Sequence, residues 1–85
     1  MLDPRITAVV IWSTTYIRPG KEPVTKLLPS WDAVLNDAAD EFADSWAAWV
    51  AAHPGEDPDV AEWAEDFRPE RYGATWHAEE HTLTF

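Results

Sequence analysis

The sequence predicts an α+β domain. It is a small antiparallel sheet with chain order β-β-α-α-β and strand order 2-1-3, carrying two amphipathic helices on one face. Three observations lead there. Residues 5–17 are dense in β-branched and aromatic side chains with no Gly or Pro, the composition of a strand. Trp31, Leu35, Ala38, Phe42, Trp46 and Trp49 recur at helical spacing. A second, shorter apolar stripe, Val60, Trp63, Ala64 and Phe67, follows after a Pro- and Gly-containing break.

The first strand, Arg5 to Ile17, has two faces. One carries Ile6, Ala8, Val10, Trp12, Thr14 and Tyr16, the other Thr7, Val9, Ile11, Ser13, Thr15 and Ile17. Both are apolar near the middle, which places the strand centrally in its sheet. Arg18-Pro19-Gly20-Lys21 suits a type II turn, because Pro presets φ and Gly accepts a positive φ. Glu22 to Leu28 then returns as a second strand. Pro23 lacks an N–H and belongs at an edge, and Lys21 and Lys26 discourage further edge pairing.

Ser30 is the expected N-cap of the first helix, with Asp32 in its first turn. The apolar stripe carries this helix on to His53-Pro54-Gly55, which stops it. A cationic His53 would suit its C-terminal dipole. Asp57-Pro58 is a standard helix opening, Asp as cap and Pro in the first helical position, and Pro69 ends that helix near Phe67 or Arg68. Ala74 to Phe85 form the last strand, paired with the first. A helical C-terminal end is the alternative, since Ala78-Glu79-Glu80 favours helix.

Length and composition narrow the function. The chain has 85 residues and no cysteine. That fits one domain whose thin core buries roughly 60–65% of the unfolded surface, without disulfide or thiolate reinforcement. Six Trp, three Phe and two Tyr must supply the burial. Ala8 to Trp12, the longest apolar run, is too short to span a bilayer. Met1-Leu2-Asp3-Pro4 lacks the basic start of a secretion signal, so a cytoplasmic location is expected.

The net charge is −10 and is unevenly placed: residues 1–26 carry +2, residues 27–67 carry −11 with no Lys or Arg, and residues 68–85 carry −1. Such a middle segment repels nucleic acid and anionic membranes and attracts basic surfaces. Solubility alone also explains an acidic small domain.

His77-Ala78-Glu79-Glu80-His81 has the H-x-x-E-H pattern of inverted zinc proteases, but no distant third ligand or large scaffold accompanies it. On a strand, His77, Glu79 and His81 instead share one face, making them the metal-ligand candidates. Phe67-Arg68-Pro69-Glu70-Arg71-Tyr72 is similar to a short stretch near the haem ligand of cytochromes P450, but the chain has no Cys to hold haem. Its structural reading puts Arg68 and Arg71 against the acids of the second helix. No nucleophilic triad, phosphate loop or calcium loop is present, and no cofactor is implied.

The function these features favour is a non-enzymatic, acidic protein-interaction module. Asp37, Asp40, Glu41 and Asp44, with Asp59, Glu62 and Asp66, form its partner-binding face. A small phage-type inhibitor that blocks a basic nucleic-acid-binding host protein by charge mimicry is one concrete form. The alternatives are a homo-oligomeric accessory subunit and a small metal- or ligand-binding protein. Val9, Ile11 and Trp12 are the expected homodimer interface, because two helices cover only one face of a sheet whose central strand is apolar on both.

Overall fold

The structure, a computed structural model, describes residues 8–84. Strand β1 (Ala8–Ile17) is central, with β2 (Val24–Leu28) and β3 (Thr75–Thr84) antiparallel on either side, in the order β2-β1-β3. Between β2 and β3 the chain forms α1 (Trp31–Glu41), α2 (Ala43–Ala52), α3 (Val60–Asp66) and a short 3-10 turn, Pro69–Tyr72. The expected fold class and strand order are both present, and residues 75–84 are strand, not helix. The expected strand positions Arg5, Ile6, Thr7 and Phe85 lie outside the described residues, as does the Met1–Pro4 segment.

Register sorts the two faces. Tyr16 pairs with Val24 and Trp76, Thr14 with Lys26 and Ala78, and Trp12 with Leu28 and Glu80. These residues face the helices. The odd-numbered positions of β1 and β3 therefore share the opposite face, with Thr25 and Leu27. The β1–β2 turn matches its sequence reading: Gly20 has φ 72° and the Lys21 N–H donates to the Arg18 carbonyl at 3.3 Å.

Ser30 caps α1, its hydroxyl accepting from the Ala33 N–H at 3.1 Å. The single long helix expected from 30 to 52 is instead two helices, broken at Phe42 (φ −113°, ψ 48°). No Gly or Pro marks the break. The Phe42 ring is gripped by Tyr16 (5.8 Å between centroids), Phe67 (4.7 Å) and the Arg18 guanidinium (4.8 Å). Two helical hydrogen bonds survive around it, Phe42 N–H to Ala38 and Trp46 N–H to the Phe42 carbonyl. Backbone distortion at one residue thus seats an aromatic ring without loss of those two bonds. The next helix starts later than expected: Asp59, not Asp57, is its cap, accepting from the Ala61 N–H at 2.9 Å. Arg68 meets the carbonyls of Glu65 and Phe67, closing α3, rather than the helix carboxylates.

The core is aromatic. Tyr16, Phe42, Trp63, Phe67 and Ala74 are buried together with Ala38 and Ala39, and Trp46, Trp49 and Trp76 pack against them half-buried. Trp63, at 1% exposure, is the best buried of the six tryptophans, whereas Trp31 is 44% exposed and lies against Trp12, 5.0 Å between centroids. Buried polar groups are matched: the Trp76 indole donates to Thr14 (2.9 Å) and the Trp63 indole to Ser45 (3.2 Å). Gly73 ends the 3-10 turn at φ 68°, and a Cβ there would stand 3.1 Å from the Pro19 ring, so this turn packs tightly on the first.

A polar knot joins sheet to α1. Lys26 Nζ donates to Asp37 (3.0 Å) and Glu41 (2.8 Å), the Tyr16 hydroxyl donates to Asp37 (2.6 Å), and Arg18 donates to Glu41 (3.0 Å). Hydrogen bonds to Glu41 and Asp37 hold the Lys26 ammonium above its ordinary value of 10.5. Burial, followed by the Asp37 bond, pushes the Tyr16 phenol well above 10.0. Both raised values give stability that is complete below the ordinary values and is lost as the pH climbs from there through the folded-state ones.

Two outcomes follow from these contacts. Asp59→Ala removes a helix cap and lowers the unfolding free energy in urea by about 1 kcal/mol. Asp57→Ala, outside the helix, changes it by less than about 0.5 kcal/mol. In the knot, Tyr16→Phe costs about 1–2 kcal/mol at neutral pH. Wild-type stability declines above about pH 10 and the Tyr16→Phe decline is shallower. Parallel declines in the two proteins would show that the knot carries no such coupling.

Candidate functional site

Eleven acids and no basic residue lie between positions 27 and 67, and the fold divides them into two sets. Asp37 and Glu41, one turn apart on α1, are half-buried and point back to the sheet, where Lys26 of β2 and Arg18, just past the end of β1, neutralise them. The other nine are exposed. The sequence reading placed Asp37 and Glu41 on the free acidic face with Asp40 and Asp44; the structure removes them from it. Helical periodicity places i and i+4 on the same side but does not say that a lysine from another element will meet them.

The remaining expected site residues also differ in what they do. Asp59 spends one carboxylate oxygen on capping α3, and Asp66 accepts from the Trp49 indole at 3.2 Å. Asp40, Asp44 and Glu62 are exposed and, among the described residues, form no hydrogen bond or ion pair through their carboxylates. Glu65, between Glu62 and Asp66 on α3, is equally exposed and belongs with them, although the sequence reading passed over it. Its spacing of three from Glu62 was the available signal. The helical layer therefore shows water a set of carboxylates that make no ion pair among the described residues, while Lys26 and Arg18 are engaged by Asp37 and Glu41 below.

The opposite side of the sheet is different. Val9, Ile11, Ile17, Leu27 and Leu83 share it, with Ile17 at 45%, Leu83 at 46% and Leu27 at 69% exposure. Trp12, expected in the same interface as Val9 and Ile11, is on the other face against Trp31. Period-two alternation separates positions 11 and 12.

His77, Glu79 and His81 do share the open face, but they do not converge. His77 Nε2 lies 3.3 Å from Glu79, while His81 Nε2 lies 2.8 Å from the Ser13 hydroxyl. Among the described residues no three His, Cys, Asp or Glu side chains come together as metal ligands. The Ser13–His81 pair resembles a nucleophile and its base, but no carboxylate orients the His81 ring among the described hydrogen bonds. Ser13 also sits mid-strand between two ladders, where backbone N–H groups are committed to pairing and supply no oxyanion site.

An open cleft of about 430 Å³ runs between the β1–β2 turn and the start of α2, lined by Arg18, Lys21, Glu41, Phe42, Asp44 and Tyr72 among others. Cations and carboxylates are mixed around it, so it favours neither ligand charge. No described helix is long and apolar enough to cross a membrane. No protein-family model, curated protein or solved structure matches the chain.

Proposed function

We propose that this protein is a non-enzymatic binding module whose acidic helical layer docks on a basic protein surface, of the kind that otherwise holds a nucleic-acid backbone. One observation carries the reading. The nine exposed carboxylates of residues 27–67 have no basic residue among them in sequence, and among the described residues none of them is in an ion pair.

Uncompensated charge of one sign on a rigid layer raises the encounter rate with an oppositely charged surface and repels anionic competitors. An inhibitor that occupies a nucleic-acid-binding surface needs this property. It must present negative charge without offering phosphates, and it must hold that charge in place. Helices α1 and α3 do so, each capped by a side chain at its N-terminus.

The test is a triple reversal at exposed positions whose carboxylates make no hydrogen bond or ion pair among the described residues, Asp40→Lys, Asp44→Lys and Glu62→Lys, with circular dichroism to verify the fold because Asp44 and Glu62 stand in the first turns of α2 and α3. The wild-type protein is used to capture its partner from native-host lysate, and the captured protein is titrated with both forms. The reversal weakens binding by at least about tenfold and flattens its dependence on salt, and duplex DNA competes with the wild-type protein for the partner. Affinity that is the same for both forms at every salt concentration ends the charge-docking reading.

A further inference from the structure

We propose that the cleft between α1, α3 and β3 is a socket for one arginine side chain of a partner protein. That a protein carries the arginine rests on the docking reading above. That the cleft takes a cationic side chain stands on the geometry and chemistry of its own lining.

The cleft has a volume of about 240 Å³ and is lined by Trp31 and Leu35 of α1, Ala61, Ala64 and Glu65 of α3, and Trp76 of β3. It stays open because α3 presents small side chains to it: Ala61 and Ala64, three residues apart, share a side of that helix. The volume is below the roughly 300–1,000 Å³ of sites that enclose a whole small molecule. It suits one side chain entering from the surface.

Both indoles are held in place before anything binds. The Trp76 N–H donates at 2.9 Å to the hydroxyl of Thr14, which is fully buried. With its donor spent there, Trp76 offers an occupant its π surface. The Trp31 ring lies against Trp12, 5.0 Å between centroids. Neither ring is covered: Trp76 is half-buried and Trp31 is 44% exposed. Aromatic surface that is already fixed loses little freedom on binding.

Charge selects the occupant. Indole rings attract cations, and a carboxylate beside them adds a charged hydrogen-bond acceptor. Among the described lining residues Glu65 alone is charged, and its carboxylate makes no described hydrogen bond or ion pair. Arg68, three residues on, gives its guanidinium to the backbone carbonyls of Glu65 and Phe67 instead. Glu80 is exposed, on the same sheet face as Trp76 and in register with Trp12, and adds negative charge on the sheet side. An anion is repelled here. An apolar side chain would take water from Glu65 without giving it a partner.

Of the two basic side chains arginine fits better. Its guanidinium is planar, weakly hydrated, stacks on indoles and can meet one carboxylate with two N–H groups. Its methylene stem has Leu35, Ala61 and Ala64 to lie against.

The experiment follows the indole N–H signals of the six tryptophans by NMR while the full chain is titrated with arginine capped as its N-acetyl methylamide. The Trp31 and Trp76 signals move along one saturable curve in the millimolar range, as expected of a single side chain, and the Trp49 signal stays in place. Capped lysine binds at least about threefold more weakly, and capped citrulline, the neutral isostere, gives no saturable shift. Glu65→Gln weakens the arginine curve by at least about threefold. Asp44→Lys, in the lining of a different cleft, changes it by less than about twofold at physiological salt. Ala61→Leu, at an exposed position, fills the cleft and abolishes the shift, with circular dichroism verifying its fold. It also weakens binding of the captured partner by at least about fivefold.

Trp31 and Trp76 signals that do not move, or that respond equally to citrulline or equally in Glu65→Gln, overturn the socket. Free arginine binding tighter than the capped form, or partner affinity unchanged in folded Ala61→Leu, overturns the assignment to a protein side chain. The titration contains no partner, and the triple reversal leaves Trp31, Glu65 and Trp76 in place. Failure of the socket and failure of charge docking are therefore told apart.

Discussion

Lys26 reaches from the edge strand to two carboxylates of α1, and the Tyr16 hydroxyl from the central strand reaches one of them. This knot sets where α1 lies on the sheet, and α1 in turn carries α2 and α3, which pack on it and on each other. The knot is half-buried, where ionic hydrogen bonds are less screened than at the surface. Its groups serve each other: one lysine satisfies two acids, and a phenol takes a further oxygen lone pair. Among the described residues no buried side-chain nitrogen or oxygen is left without a partner.

Around this anchor the chain solves the problem of a small core with aromatic rings. Trp63 and Phe67 stack at 4.8 Å, Phe67 meets Phe42 and Trp76, and Phe42 meets Tyr16. The contacts pass from α3 through the break between α1 and α2 to the sheet. Large rings bury more area per residue than aliphatic side chains, which offsets the unfavourable surface-to-volume ratio of 85 residues. The break at Phe42 belongs to the same solution, since its ring links Tyr16 of the sheet to Phe67.

The two layers also separate two kinds of surface. Acids crowd the helices, while the open sheet face mixes five apolar residues with seven polar ones and carries, among the described strand residues, one carboxylate, Glu79.

Local physics was enough to read much of the chain. Strand alternation and the Pro19-Gly20 turn determine β1 and β2, the Ser30 cap starts α1, and Pro69 limits α3. Each is decided by contacts within a few residues, so the sequence suffices. Composition likewise determines the acidity of residues 27–67. Tertiary structure alone decided which acids remain free, because the answer rests on Lys26 and Arg18 arriving from another element. It decided that Asp59 rather than Asp57 caps α3, since both are eligible locally and the register that buries Trp63 selects one. It also decided that the helix breaks at Phe42, where nothing local forbids continuation. These three outcomes share a cause: each was chosen by partners distant in sequence, competing for the same residue, and periodicity records only near neighbours.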